Sequence, residues 1–267
     1  MEKIKLSLGI STCPNDTFIY ENLVAGLPDS PFSWHVTFAD VQTLNEMVLA
    51  GKLDVAKVSA QIYPQVSSGY HVLDCGGAIG YGCGPLLLSS EAPCFNDMLP
   101  TILPGKNTTA SLLFKFWFSH EKGLGKSPSV KFALFNQVYQ ALCEKKENQG
   151  VVIHEHRFTW KHDGLHLIQD LGAYWEERTG SPIPLGISVA KKSLPNSVVA
   201  RVQDEIRCSL ALAWQRGVLV TNFIREKAQI EDNQVIEDHI RMFVNDFSEN
   251  VGERGKAALG HLWALKK

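Results

Sequence analysis

Short apolar runs rich in β-branched residues alternate along this chain with stretches of helical period, and no other feature narrows the fold as much. Ile4–Ile10, Trp34–Phe38, Leu53–Val58, Pro85–Ser89, Thr101–Leu103, Val130–Ala133, Val151–His154 and Leu185–Ala190 read as strands. Thr17–Ala25, Val41–Ala50, Ser111–Glu121 and Phe135–Glu147 carry helical spacing between them. Gln169–Arg178 mixes turn and helix, and the last third holds helices over about Asn196–Gly217, Asp232–Val244 and Val251–Ala264. Two places interrupt the alternation: the glycine-rich stretch Cys75–Pro85 and the return marked by Pro182 and Pro184. The glycines have neither a following Gly-Lys-Ser/Thr nor the G-x-G-x-x-G spacing, so they predict close backbone packing or a bend rather than a nucleotide loop. The pattern predicts an α/β protein of two lobes joined by two crossings, with a ligand cleft between them. Residues 1–89 and 187–267 form one lobe in this reading, and residues 90–186 form the other.

Charge and cysteine usage limit what such a cleft serves. The formal net charge is −2 with no long basic stripe, which argues against nucleic acid or an anionic membrane surface as partner. The six cysteines form no CxxC pair, and a chain of 267 residues does not need a disulfide framework. MEKIKLSLGIS reads as a short strand and lacks the apolar core of a signal peptide, and no run reaches the length of a membrane helix. The expectation is a cytoplasmic protein acting on a small molecule; the sequence assigns no oligomeric state.

The chemistry concentrates at Val151–Trp160, VVIHEHRFTW, where a buried strand meets His154 and turns abruptly polar. The carboxyl end of a strand is where open α/β sheets place ligands, so His154 is the candidate general base. Lys57-Val58-Ser59 ends another strand and offers a cation, backbone N–H groups and a hydroxyl, with Ser59 also suited to cap the next helix. Pro104-Gly105 precedes Thr108-Thr109-Ala110 at the start of a long apolar helix, whose first amides and dipole suit an anion or a hydroxyl-rich ligand. Asn15 and Asp16 lie near a further helix start, and Asn45 is either solvated or a cleft residue. Each of these has a plainer structural role open to it: cap, exposed lysine, or packed histidine. His154 and His156 would share a strand face and invite a metal, but no acidic or Cys ligand stands at a closing spacing, and none is expected. No G-x-S-x-G or singled-out cysteine marks a nucleophile.

A resemblance joins these pieces. Cys13-Pro14-Asn15-Asp16-Thr17-Phe18, Asp40-Val41 with Thr43-Leu44-Asn45, Lys57-Val58-Ser59, and the Gly76–Pro85 run stand in order. Pro104-Gly105 with Thr108-Thr109-Ala110, Ile153-His154-Glu155 with Arg157-Phe158-Thr159, Leu171–Gly180 and Pro184-Leu185-Gly186 follow. On these residues, spread over nearly the whole chain, it resembles the 1,4-dihydroxy-6-naphthoate synthases of the futalosine route to menaquinone. The resemblance implies a type II periplasmic-binding-protein-like fold used as a lyase on cyclic dehypoxanthine futalosine. It implies His154 as the base, substrate contacts at Lys57, Val58, Ser59, Thr109 and Ala110, and neither metal nor organic cofactor. The competing expectations are a non-catalytic binding protein of the same fold and a related chorismate dehydratase.

Overall fold

The computed structural model describes residues 2–123 and 125–265. The chain opens with β1 (Ile4–Ile10), α1 (Pro14–Ala25), β2 (Phe32–Phe38), α2 (Val41–Leu49) and β3 (Val55–Ser59). A 3₁₀ turn over Ala60–Ile62 leads to α3 (Tyr63–Val66), β4 (Tyr70–Val72) and β5 (Ala78–Gly80). Then come β6 (Leu86–Ser89), β7 (Thr101–Pro104), α4 (Thr109–Lys122), β8 (Val130–Ala133), α5 (Phe135–Cys143) and β9 (Gln149–Val152). The short α6 (His156–Thr159), β10 (His166–Asp170), α7 (Leu171–Thr179) and β11 (Ile183–Lys191) follow. Five helices close the chain: α8 (Asn196–Arg216), α9 (Asn222–Lys227), α10 (Asn233–Phe243), α11 (Asp246–Glu249) and α12 (Gly252–Ala264). No helix among the described residues is long and apolar enough to cross a membrane.

The strands build two sheets. In the first the order is β2-β1-β3-β11-β4, with β5 also on β11; in the second it is β10-β6-β9-β7-β8. β1 runs parallel to β2 and β3, while β11 returns antiparallel to β3, β4 and β5. β7 is parallel to β8 and β9, and β6 is antiparallel to β9 and β10. A strand such as β3, buried at every position, needs cover on both faces, and it is flanked by helices accordingly. α1, α8, α9 and α10 pack their apolar sides into one core with β1.

Local chemistry sets most element ends. Pro14 sits at the first turn of α1, where its missing N–H costs nothing, so this helix starts three residues before the expected Thr17. The Thr17 hydroxyl donates back to the Cys13 carbonyl, which marks it as a residue within the helix. Asp40 caps α2 by accepting from the amides of Gln42 and Thr43, as its sequence position predicts. Ser59 differs from expectation: its side chain makes no capping bond to the turn that follows. α5 ends at Cys143, short of the expected Glu147. β10 was not foreseen, because its residues show little apolar alternation and are mostly exposed or half-buried.

Two further corrections concern the middle of the chain. Leu86–Ser89 pairs with β9 and β10, so a boundary at residue 89 assigns this strand to the wrong sheet. All of β11 from Ile183 pairs in the first sheet, which moves the return ahead of residue 187. The pairing partner of an all-apolar run such as Leu86-Leu87-Leu88 is set by tertiary contact, which local patterning does not record. The glycine-rich crossing does pack closely, as anticipated. A Cβ on Gly84 would lie 2.2 Å from the Gly172 Cα, so two backbones touch where the chain passes between sheets.

Candidate active site

A cleft enclosing about 700 Å³, its open mouth included, runs between the two sheets. The expected base and substrate contacts line it, namely His154, Lys57, Val58, Ser59, Thr109 and Ala110, together with Asn15 and Asp16, while Asn45 and His156 stand outside its lining. Cys83-Gly84-Pro85 of the first crossing, Leu185-Gly186 of β11 and Phe243 at the end of α10 complete much of the wall.

His154 does not belong to the strand that precedes it. β9 stops at Val152, and His154 takes the left-handed conformation, φ 61°, that a non-glycine residue adopts only under tertiary constraint. The next turn begins at once: the Arg157 amide donates to the His154 carbonyl, and α6 starts at His156. His154 and His156 are therefore not two residues of one strand face, as the sequence suggested. His156 instead stacks on Tyr139 with centroids 3.7 Å apart and planes 7° from parallel. Arg157 fixes this loop by donating to the Gly84 carbonyl and to the Asp170 carboxylate, both at 2.6 Å.

The half-buried His154 ring stands edge-to-face with Phe135 at 4.9 Å, and its Nδ1 lies 3.3 Å from the Cys13 Sγ. Burial pulls its pKa from 6.5 down to about 4, against the pull of Asp16 and Asp40, so at neutral pH the imidazole is uncharged and holds a lone pair. Burial, reinforced by Glu155 and Asp16, pushes the Cys13 thiol well above its usual range. The sulfur therefore keeps its proton at neutral pH and is a weak hydrogen-bond partner rather than a nucleophile.

Opposite charges organise the floor. The Lys57 ammonium, 4% exposed, donates to Asp16 Oδ1 at 3.0 Å and to the Gly76 carbonyl at 2.7 Å. Ser11 and Asn15 donate to the same carboxylate at 2.7 and 2.8 Å. The cation that the sequence offered to an anionic ligand is thus neutralised by Asp16, a partner 41 positions away that strand spacing alone could not identify. Ser59 is held from α2: Asn45 accepts from its amide at 2.9 Å and donates to its hydroxyl at 3.1 Å. Asn45 also donates to the Asn107 carbonyl at 2.7 Å, and Gln42 accepts from the Asn107 amide at 2.9 Å. These bonds join α2 to the turn before α4. That turn ends in Thr108, the α4 cap, whose hydroxyl accepts from the Ser111 amide. The Thr109 hydroxyl donates to the Leu185 carbonyl at 2.9 Å. The amides of Thr109 and Ala110, first in a 14-residue helix, have no intrahelical acceptor and carry its positive dipole end.

One metal-capable set emerges among the described residues. The ligand atoms of His154, Glu155 and His239 lie within 4.8 Å of one another. The sequence expectation of no such set considered spacing only, and α10 supplies the third member from far along the chain. Sequence reasoning gave Cys13 and Arg157 no role beyond their places in the resemblance. Read from the residues alone, Cys13 offered only its place before a helix, and Arg157 only its place in the polar step after the strand.

The cleft can therefore hold a small molecule against unpaired helix amides while presenting a neutral imidazole to it. Comparison with known proteins identifies the family. The family model described as Menaquinone biosynthesis matches residues 6–266. The 1,4-dihydroxy-6-naphthoate synthase of Streptomyces coelicolor is 39% identical over 255 residues, 95% of this chain and 90% of that protein. The synthase of the same name from Thermus thermophilus is 36% identical over 259 residues, 97% of this chain and 93% of that one. Among solved structures, an Archaeoglobus fulgidus protein superposes with a TM-score of 0.90 at 24% identity, covering 98% of this chain and 96% of that one. The alkanesulfonate-binding protein of Xanthomonas axonopodis pv. citri, bound to MOPS, gives a TM-score of 0.70 at 12% identity, covering 100% and 94%. The fold is that of periplasmic binding proteins, as the sequence resemblance implied.

Proposed function

The chain belongs to the Menaquinone biosynthesis family, and on that basis we propose that it is a lyase forming 1,4-dihydroxy-6-naphthoate. Cyclic dehypoxanthine futalosine is the substrate in this reading. The observation that carries it is the pairing of a neutral imidazole at His154 with the open amides of α4 across one cleft.

His154 removes a proton from carbon next to a carbonyl, the carbon skeleton fragments, and aromatisation of the second ring drives the reaction. The proton passes to the imidazole and the sugar-derived fragment departs. A positioned base of this kind is worth about 10²–10⁴-fold in rate. The Thr109 and Ala110 amides, with the Ser59 hydroxyl, hold the oxygen-rich part of the substrate. Lys57 serves indirectly: its ion pair with Asp16 keeps the floor near neutrality, so the cleft accepts the substrate without a competing free ammonium. The two sheets act as lobes that exclude water from the reacting atoms. The reading places the enzyme in the cytoplasm, supported by its biosynthetic relatives.

The test is incubation of the purified protein with cyclic dehypoxanthine futalosine, with mass detection of the naphthoate. Formation of the naphthoate, and its loss in His154→Asn, is the expected result. Failure to consume the compound, or consumption of chorismate instead, overturns the proposal.

A further inference from the structure

We propose that His154, Glu155 and His239 form a binding site for a divalent first-row transition ion, Zn²⁺ being the best match, and that the bound ion shuts off turnover. The second half rests on the reading of His154 as the base.

Among the described residues, a set of buried polar atoms has no hydrogen-bond partner. His239 is fully buried on α10, and neither of its ring nitrogens has a hydrogen-bond partner. Glu155 is 2% exposed, and its Oε2 is likewise without a partner. Native interiors pair such groups almost without exception, and an unpaired cluster calls for a ligand or ordered water to complete it. Here the unpaired atoms come from different parts of the chain and converge. Glu155 follows the left-handed turn at His154, and α10 brings His239 to it, with the two imidazoles 6.1 Å apart between centroids. Phe243, one turn along α10, packs on His239 at 4.5 Å and holds the ring in place.

The donor set then decides the ligand class. Two imidazoles and one carboxylate, with their ligand atoms within 4.8 Å of one another, are borderline donors that favour zinc over magnesium or calcium. Of the three, the partly exposed His154 borders the cleft, as does Phe243 beside His239. Among the described residues no capping bond or ion pair engages the side chain of Glu155 or His239, so neither is committed elsewhere.

Occupancy has one direct chemical consequence. A metal bond uses an imidazole lone pair, and a ring so engaged can no longer accept a substrate proton as freely. Zn²⁺ is then an inhibitor of this enzyme, removable by a chelator.

The experiment uses the full chain stripped with chelator. Zn²⁺ binding is followed by calorimetry and metal content, and turnover of cyclic dehypoxanthine futalosine is measured in parallel. One ion per chain and a tenfold or larger loss of turnover, reversed by EDTA, are expected. Glu155→Gln and His239→Gln each weaken Zn²⁺ binding at least tenfold while keeping metal-free turnover. Both variants are checked by circular dichroism, and Glu155→Gln carries the test should His239→Gln fail to fold. Absence of stoichiometric binding, or binding unchanged in a folded variant, overturns the site. Stoichiometric binding that the variants abolish, but with turnover unaffected by the ion, overturns the inhibition. Binding at these residues in a protein that never consumes the substrate leaves the site standing and removes the lyase reading instead.

Discussion

At the scale of single residues, the backbone of His154 distinguishes replacement from repair. Its φ of 61° suits glycine and asparagine far better than a β-branched residue. His154→Asn should therefore fold with a thermal midpoint close to the parent while losing about 10²–10⁴-fold in turnover, read by a melt and by a rate on the same sample. Lys57 makes the opposite case. Lys57→Met leaves Asp16 buried with only its neutral donors, Ser11 and Asn15, which should cost about 3–5 kcal/mol in a urea titration. Reverting the charge at both ends with Lys57→Met and Asp16→Asn should recover a good part of that loss. The sequence made His154 legible because polarity changes so sharply there. It could not reveal that Lys57 is neutralised, since Asp16 on α1 meets Lys57 on β3 only in the tertiary fold.

Elements were legible where the signals were local. The Asp40 cap, a cap at one of the two threonines Thr108 and Thr109, the strand Val130–Ala133 and the glycine that closes α1 were all readable from neighbouring residues. The end of β9 was not, because Ile153 continues the apolar run and the contacts around His154, from Phe135, Cys13 and the Arg157 bonds that fix its loop, come from distant parts of the chain. The α4 start is the element most closely tied to ligand binding. Thr108→Ala removes the acceptor for the Ser111 amide and should lower stability by about 1 kcal/mol. Its second effect should be a higher KM with kcat nearly unchanged, because the amides of Thr109 and Ala110 lose their fixed direction. Steady-state kinetics separates the two; an unaltered KM would detach the helix start from substrate binding.

For the whole molecule, the buried histidines dictate how it responds to acid. Burial lowers both His154 and His156 from 6.5 to about 4, and it lowers His239 well below its ordinary value. Below about pH 6.5 the unfolded chain binds protons that the folded chain refuses, so stability falls as pH drops from there toward 4. Glu155, whose carboxyl is pushed up by burial, works against this trend but is one group against three. The denaturant midpoint should accordingly be lower at pH 5 than at pH 7.5, and equal midpoints would contradict the burial of these rings. The overall α/β architecture was readable from alternation alone, whereas the sheet to which Leu86–Ser89 belongs was not. The peptide at Asn107 has a consequence for the molecule as a mechanical object. Gln42 accepts from the Asn107 N–H and Asn45 donates to the Asn107 C=O, so one side of the cleft holds one residue of the other through both of its flanking peptide groups. Any excursion that parts α2 from the head of α4 must release both grips together, and the mouth consequently behaves as a catch with two discrete positions rather than a door that drifts.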